Sequence, residues 1–274
     1  AKLKRKPKVL NTHGSLLGYK KYLPSNQHTP YKLYDALTWK ASAKNANAVV
    51  VSSKLEYEDA IEFGISKKKI HIIPMGIDVD EYVDSPINHN GYTINILFVG
   101  RIARVRRIEI LLKAVAKLPT SFHLTLVGGE EKTSSLSKSG YLKELKQLCQ
   151  TLSINDRVSF VGPVSQDKLF GWYTKGDVLV YPSLYENFGQ PILEAAAAGL
   201  PIISTPVGVA NEIISDNETG FLFNGNDQEL ANKIAQLTDQ KLRKKIGEAA
   251  REQVRILFGW EGIIKKYLDL YRSL

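Results

Sequence analysis

Short, nearly continuous apolar runs rich in Val, Ile, Leu and Phe alternate along the chain with longer stretches whose apolar positions recur at three- and four-residue intervals. Buried parallel strands give the first pattern and amphipathic helices the second, so the alternation predicts an α/β fold built from βαβ units. In the first third, KVLN (8–11), AVVVS (48–52) and IHII (70–73) read as strands, with helices over YKLYDALTWKASAKNA and SKLEYEDAIEFG between them. A second series runs through INILFVG (94–100), FHLTLVG (122–128), RVSFVG (157–162), DVLVYPS (177–183), PIIST (201–205) and GFLF (220–223). Its helices fall at 107–118, 140–152, 166–174, 191–198 and 211–215, and DQKLRKKIGEAAREQ (239–253) has helical spacing with intermixed acids.

GIDVDEYVDSPINHNGY (76–92), rich in Asp, Asn, Gly and Pro, separates the two series and reads as a linker. The expected division is therefore 1–86 and 87–256. The second part carries enough strands for a full doubly wound domain, whereas the first offers three strands in a segment below the usual domain size of about 100 to 150 residues. Three parallel strands leave an apolar edge and face uncovered, so the expectation is that this domain is incomplete: cut from a longer protein, or completed by a second chain.

The 274 residues are 43% apolar and 24% charged, ordinary for a globular chain. The lone Cys149 excludes an intrachain disulfide and suits a reducing compartment. No apolar run approaches the roughly 20 residues that span a bilayer, and AKLKRKPK leads into polar NTHGS rather than a signal-peptide core. These features read as cytoplasmic. The net charge of +9 calls for an acidic partner, and it is clustered. Lys2, Lys4, Arg5, Lys6 and Lys8 open the chain, either as a solvated terminus or as a peripheral contact with the inner face of an anionic membrane. Arg101, Arg104, Arg106 and Arg107 form a second group, and Lys241, Arg243, Lys244 and Lys245 a third. Nucleic-acid binding has only net charge in its favour, with no recognition motif, so no nucleic acid is expected.

In doubly wound sheets ligands bind beyond the carboxyl ends of the strands. On that rim the sequence places Gly100-Arg101, Gly128-Gly129, Gly162-Pro163, Glu186, and Thr205-Pro206 with Gly208. A single such glycine is a tight turn; several on one edge predict a backbone-lined cleft, and the arginines predict an anionic ligand. In YENFGQPILEAAAAG the helix starts at Pro191 and stops at Gly199, which puts Glu194 in its first turn and Glu186 in the preceding loop. The expected anion site is the set of backbone N–H groups around Gly189 to Ile192, next to Phe188 and Gln190. A carboxylate matches a vicinal diol, so one acid would hold a ribose and the other a sugar ring, with a diphosphate between them. The ligand so described is a nucleotide diphosphate sugar.

YENFGQPILE resembles the E-x7-E signature of glycosyltransferase family 4, retaining enzymes of the GT-B fold with two Rossmann-like domains. IIPMGIDVDEY, ILFVGRIARVRRIEILLKA and FGWEGIIKKYLDLY resemble further family segments in order, while the family's first strands and their Gly-rich loop are not matched. The resemblance implies transfer of a sugar from a nucleotide diphosphate sugar to a glycan, lipid-linked or small-molecule acceptor hydroxyl, without a metal. It implies that residues 257–274 form a helix crossing back to the first domain. Carried over residue by residue, Glu186 orients the donor sugar and Glu194 binds the ribose. Arg101 and Arg106 neutralise the leaving diphosphate, His13 in NTHGSLLG lies near the transferred sugar, and Gly100, Gly128, Gly162, Phe188, Gly189, Gln190 and Ile192 contact the donor. Where the family pattern has Lys then Gly, this chain has Arg106-Arg107.

A glycosidase also uses paired carboxylates, but it has little use for two arginines and a helix N-terminus. The DVD of Asp78 to Asp80 imitates a metal-binding Asp-X-Asp, yet it lies in the linker and reads as a turn. A reading from a different class is a donor-binding module, or one subunit of a split transferase inactive alone.

Overall fold

The computed structural model describes residues 6–14, 16–17, 20, 26, 28–82, 93–130 and 140–274, and the side chains of all of these except 38–41. Lys2, Lys4 and Arg5 of the first basic cluster lie outside the described residues, as does the expected 86/87 boundary. The chain divides into two units, Ala1–Gly76 with Trp260–Leu274, and Ile77–Gly259.

The first unit holds a three-stranded sheet, β1 (Val9–Asn11), β2 (Ala48–Val51) and β3 (Ile70–Ile72), parallel throughout and in that order. Between β1 and β2 the helical stretch starts earlier than its apolar pattern indicates, because Pro30 suits a first turn. It runs as α1 (Thr29–Tyr34), widens to a π turn at Asp35–Trp39, and resumes as α2 (Lys40–Asn45). Helix α3 (Lys54–Glu62) is capped by Ser53, whose hydroxyl accepts from the Glu56 N–H at 3.3 Å, while Glu56 accepts from Ser52. Val49 and Val51 pack on one face with Ala43, Ala60 and Phe63, and Ala48 and Val50 pack on the other with Ile263 and Leu270 of the C-terminal helix. The strand period of two explains this division of one apolar run between two layers.

The second unit is a six-stranded parallel sheet, β4 (Ile94–Val99), β5 (Phe122–Val127), β6 (Val158–Gly162), β7 (Val178–Tyr181), β8 (Ile202–Ser204) and β9 (Phe221–Leu222). Their spatial order is β6-β5-β4-β7-β8-β9. Helices α4 (Ile108–Ala116), α5 (Tyr141–Thr151), α6 (Gln166–Tyr173), α7 (Gln190–Ala197) and α8 (Ala210–Ile213) connect the strands. They are followed by α9 (Asp227–Gln236) and α10 (Gln240–Phe258), while α11 (Trp260–Ser273) belongs to the first unit. The apolar strand runs and the inner helix faces form one core. Helix α9, which the strand and helix patterns above leave out, is capped by the Asn226 side chain and buries Leu230 and Ile234. The strand order reverses between β4 and β7, which brings the loop after β4 and the loop after β7 side by side. No helix among the described residues is long and apolar enough to cross a membrane.

Candidate active site

The rim glycines meet. The Gly100 N–H donates to Val127 O at 2.9 Å and the Gly128 N–H to Gly162 O at 2.9 Å, so the ends of β4, β5 and β6 are joined backbone to backbone. Gly128 has φ +143, and a Cβ there would come within 1.9 Å of the Gly100 carbonyl oxygen. This close approach accounts for glycine at 128 without a ligand, and at Gly162, where a Cβ would meet nothing within 4 Å, the backbone at φ +85 favours glycine by itself. Arg101, next in the chain, is exposed.

Arg106 and Glu186, read from the sequence as serving different parts of a donor, are paired with each other at the strand switch. An Arg106 guanidinium nitrogen bonds the Glu186 carboxylate directly, and it also donates to Ser183 Oγ at 3.1 Å and Tyr185 O at 3.3 Å. Tyr181, at the end of β7, donates its hydroxyl to the same Glu186 oxygen at 2.7 Å, and the Arg106 guanidinium lies 5.4 Å from the Tyr181 ring centre. The side chains of Arg106 and Glu186 are 8% and 17% exposed, so the pair is largely desolvated and its charge-assisted bonds are strong. Arg107, where the family pattern has glycine, adopts φ 48 at the start of α4. Its Nε donates to Pro182 O at 3.0 Å, and its guanidinium lies where a Cβ on Gly225 would fall. A left-handed residue here explains why glycine fits that pattern.

Helix α7 begins one residue earlier than expected. Gly189, at φ 94, is its N-cap and Gln190 its first residue, so Pro191 takes the second position. Glu194 therefore lies past the first turn, and the dipole contribution expected there falls away. It is held by side chains instead: Tyr173 Oη donates to Oε2 at 2.7 Å, and the amides of Gln190 and Gln166 donate to Oε1 at 3.2 and 3.4 Å. The expected anion site is also narrower. Pro191 has no N–H and the Ile192 N–H donates to Gly189 O at 2.9 Å, so the turn offers the amides of Gly189 and Gln190. Ile192 is fully buried, and Phe188 is 5% exposed with its ring edge-on to Phe258 at 6.2 Å. Neither side chain presents itself to a ligand, and both instead anchor the corner in the core. Glu194, Tyr173, Gln166, Phe170 and Tyr82 line a cavity of about 300 Å³.

Tyr173 and Tyr181 are the residues that sequence reasoning missed. Burial above all, with Glu194 adding beside Tyr173 and Glu186 adding beside Tyr181 against the opposing pull of Arg106, holds their hydroxyls protonated well above the usual tyrosine range. Each ends an element, and only the fold reveals which acid it meets. His13 lies after β1 in the first unit, exposed, at φ 48, with its N–H donating to Asn11 Oδ1 at 3.2 Å. In the linker, Asp78 Oδ1 accepts from the Asp80 N–H at 3.0 Å, the bond of a turn.

Two family models match the sequence: glycosyl transferases group 1 over residues 83–253, and glycosyltransferase family 4 over residues 1–81. A D-inositol 3-phosphate glycosyltransferase of Xylanimonas cellulosilytica is 29% identical over 250 residues, 82% of this chain and 57% of that protein, so the chain spans little more than half the relative's length. An uncharacterized glycosyltransferase of Methanocaldococcus jannaschii is 29% identical over 98% of this chain and 70% of that protein. Among solved structures, sucrose-phosphate synthase of Thermosynechococcus elongatus superposes with a TM-score of 0.81 at 31% identity, covering 97% of this chain and 67% of that one. Anabaena HepE, in complex with UDP and glucose, superposes at 0.84 with 24% identity over 98% and 72% of the two chains, a likeness of fold. With the group 1 model matching well over half of its residues, and the α/β GT-B architecture shared by these neighbours, the chain belongs to the glycosyl transferases group 1 family.

Proposed function

We propose that this chain takes a nucleoside diphosphate sugar as donor and transfers its glycosyl group, with retention of configuration and without a metal, to a glycan, lipid-linked or small-molecule hydroxyl. The observation that carries the reading is the placement of Glu186 and Glu194 on either side of the Gly189-Gln190 turn, at the strand switch. Glu194, facing the cavity, accepts from the ribose diol, and Glu186 from hydroxyls of the transferred sugar. The amides of Gly189 and Gln190 and the exposed Arg101 take the diphosphate, whose departure needs charge stabilisation more than a protonating acid. Arg106 holds Glu186 in place, and it reaches the diphosphate only when that ion pair opens. His13 is assigned to the acceptor side. HepE binds UDP and glucose, which supports a nucleotide donor.

The test is a thermal-shift screen of nucleotide sugars followed by a transfer assay. A donor at one hundred times its dissociation constant raises stability by about 2.7 kcal/mol. Glu194→Ala is expected to abolish that rise and Glu186→Ala to weaken discrimination between sugars. An unchanged rise in both variants refutes the assignment.

A second reading, a donor-binding module active only with another polypeptide, is favoured by the first unit's surface. Strand β1 is a sheet edge among the described residues, and α11 exposes Trp260, Ile264, Leu268 and Tyr271 at helical spacing, each 46 to 56% exposed. Donor binding without turnover, with turnover on adding a second polypeptide, distinguishes it.

A further inference from the structure

The two tyrosines that meet the acids are spaced in sequence as the acids are, Tyr173 and Tyr181 against Glu186 and Glu194, and each pair is joined by a 2.7 Å hydrogen bond. The Glu194 pair is asymmetric in a way that bears on the nucleoside. Oε2 takes a short bond from a phenol that is 1% exposed and packed in the core, whereas Oε1 takes two longer bonds from the amides of the exposed Gln166 and the half-buried Gln190. A glutamine amide swings on three side-chain torsions, while a buried tyrosine has two and is fixed by its ring. One carboxylate oxygen is thus tied to the fold and the other carries partners that an incoming hydroxyl can replace.

Resting on the donor reading above, we infer that Tyr173 is a positioning residue for ribose recognition: its hydroxyl fixes the Glu194 carboxylate so that Oε1 turns toward the cavity and selects a ribose diol. Because burial and the adjacent carboxylate keep the Tyr173 phenol protonated, it stays a donor to Glu194 throughout the neutral range. Without that bond the carboxylate rotates toward the two glutamine amides and meets the diol in many orientations, so the preference for a diol falls even though the charge remains. A tyrosine that only filled the core would lower all nucleotide affinities alike, or none.

The experiment measures, by calorimetry, the dissociation constants of UDP, GDP and ADP and of their 2′,3′-dideoxy counterparts. The proteins are the wild type, Tyr173→Phe, Glu194→Gln and the double variant, each checked for native unfolding. Wild type is expected to prefer one ribonucleotide over its dideoxy counterpart, and Tyr173→Phe to shrink that preference by about tenfold, the worth of a hydrogen bond to a charged group. The dideoxy affinity stays within about twofold, and Tyr173→Phe adds nothing further in the Glu194→Gln background. A wild-type preference that vanishes in Glu194→Gln but persists in Tyr173→Phe overturns the role of Tyr173 and leaves the donor reading standing. An equal loss for both nucleotide types in Tyr173→Phe also overturns it. If wild type binds none of the six, or shows no preference, the Glu194 assignment falls and the inference with it.

Discussion

At the scale of residues, the ion pair of Arg106 and Glu186 couples stability to the site. Glu186→Ala removes the carboxylate from a guanidinium that is 8% exposed, and is expected to cost about 2 to 3 kcal/mol in urea unfolding. Glu186→Gln keeps the shape and an acceptor, and costs less. The buried phenols give a second residue-scale expectation. Tyr173 and Tyr181 ionise in the unfolded chain near the ordinary value of 10.0 but stay protonated in the fold well above it. Above that value the unfolded state binds fewer protons than the native state, so stability is fully present below pH 10.0 and is lost as pH rises toward the folded value. Unfolding midpoints taken on either side of pH 10.0 are expected to fall on the alkaline side, with a shallower fall in Tyr173→Phe.

At the scale of elements, the start of α7 decides which backbone amides of the turn stay open and where Glu194 lies. Gly189 at φ 94 lets the chain enter the helix one residue before Pro191, and that single step moves Glu194 out of the first turn and into reach of Tyr173. An alanine at 189 is strained by its backbone and meets Ile192 at 3.1 Å, so Gly189→Ala is expected to cost about 1 to 2 kcal/mol in urea unfolding. Gly128→Ala costs more, because its Cβ would come within 1.9 Å of the Gly100 carbonyl oxygen and the ends of β4 and β5 would have to part. The strand positions are legible in the sequence because parallel strands buried on both faces are continuous apolar runs. The short first-unit helices are less so, since propensity over a few turns is weak.

At the scale of the whole molecule, each unit has its own core and its own probe. In the second unit Cys149 is 2% exposed and burial pushes its thiol up to about 11, so labelling by a disulfide reagent at neutral pH is expected to be slow in the native protein and to follow unfolding of that unit in urea. In the first unit Ile263 of α11 packs on Ala48 and Val50 of β2 and is 1% exposed. Ile263→Ala is expected to lower that unit's stability by about 3 kcal/mol, read as faster hydrogen exchange of the β2 amides.

The sequence by itself determined the α/β class, the parallel strands, and the place of the two carboxylates on the rim beyond the strand ends, because strand burial and loop position after a strand are local properties of the pattern. Only the tertiary structure decided that Arg106 meets Glu186 rather than standing apart from it, that Phe188 and Ile192 turn into the core, and that Tyr173 and Tyr181 hold the two acids. The first of these joins segments 80 residues apart through the order in which strands β4 and β7 lie side by side, the others depend on how loop and helix pack on the sheet, and no local period records either.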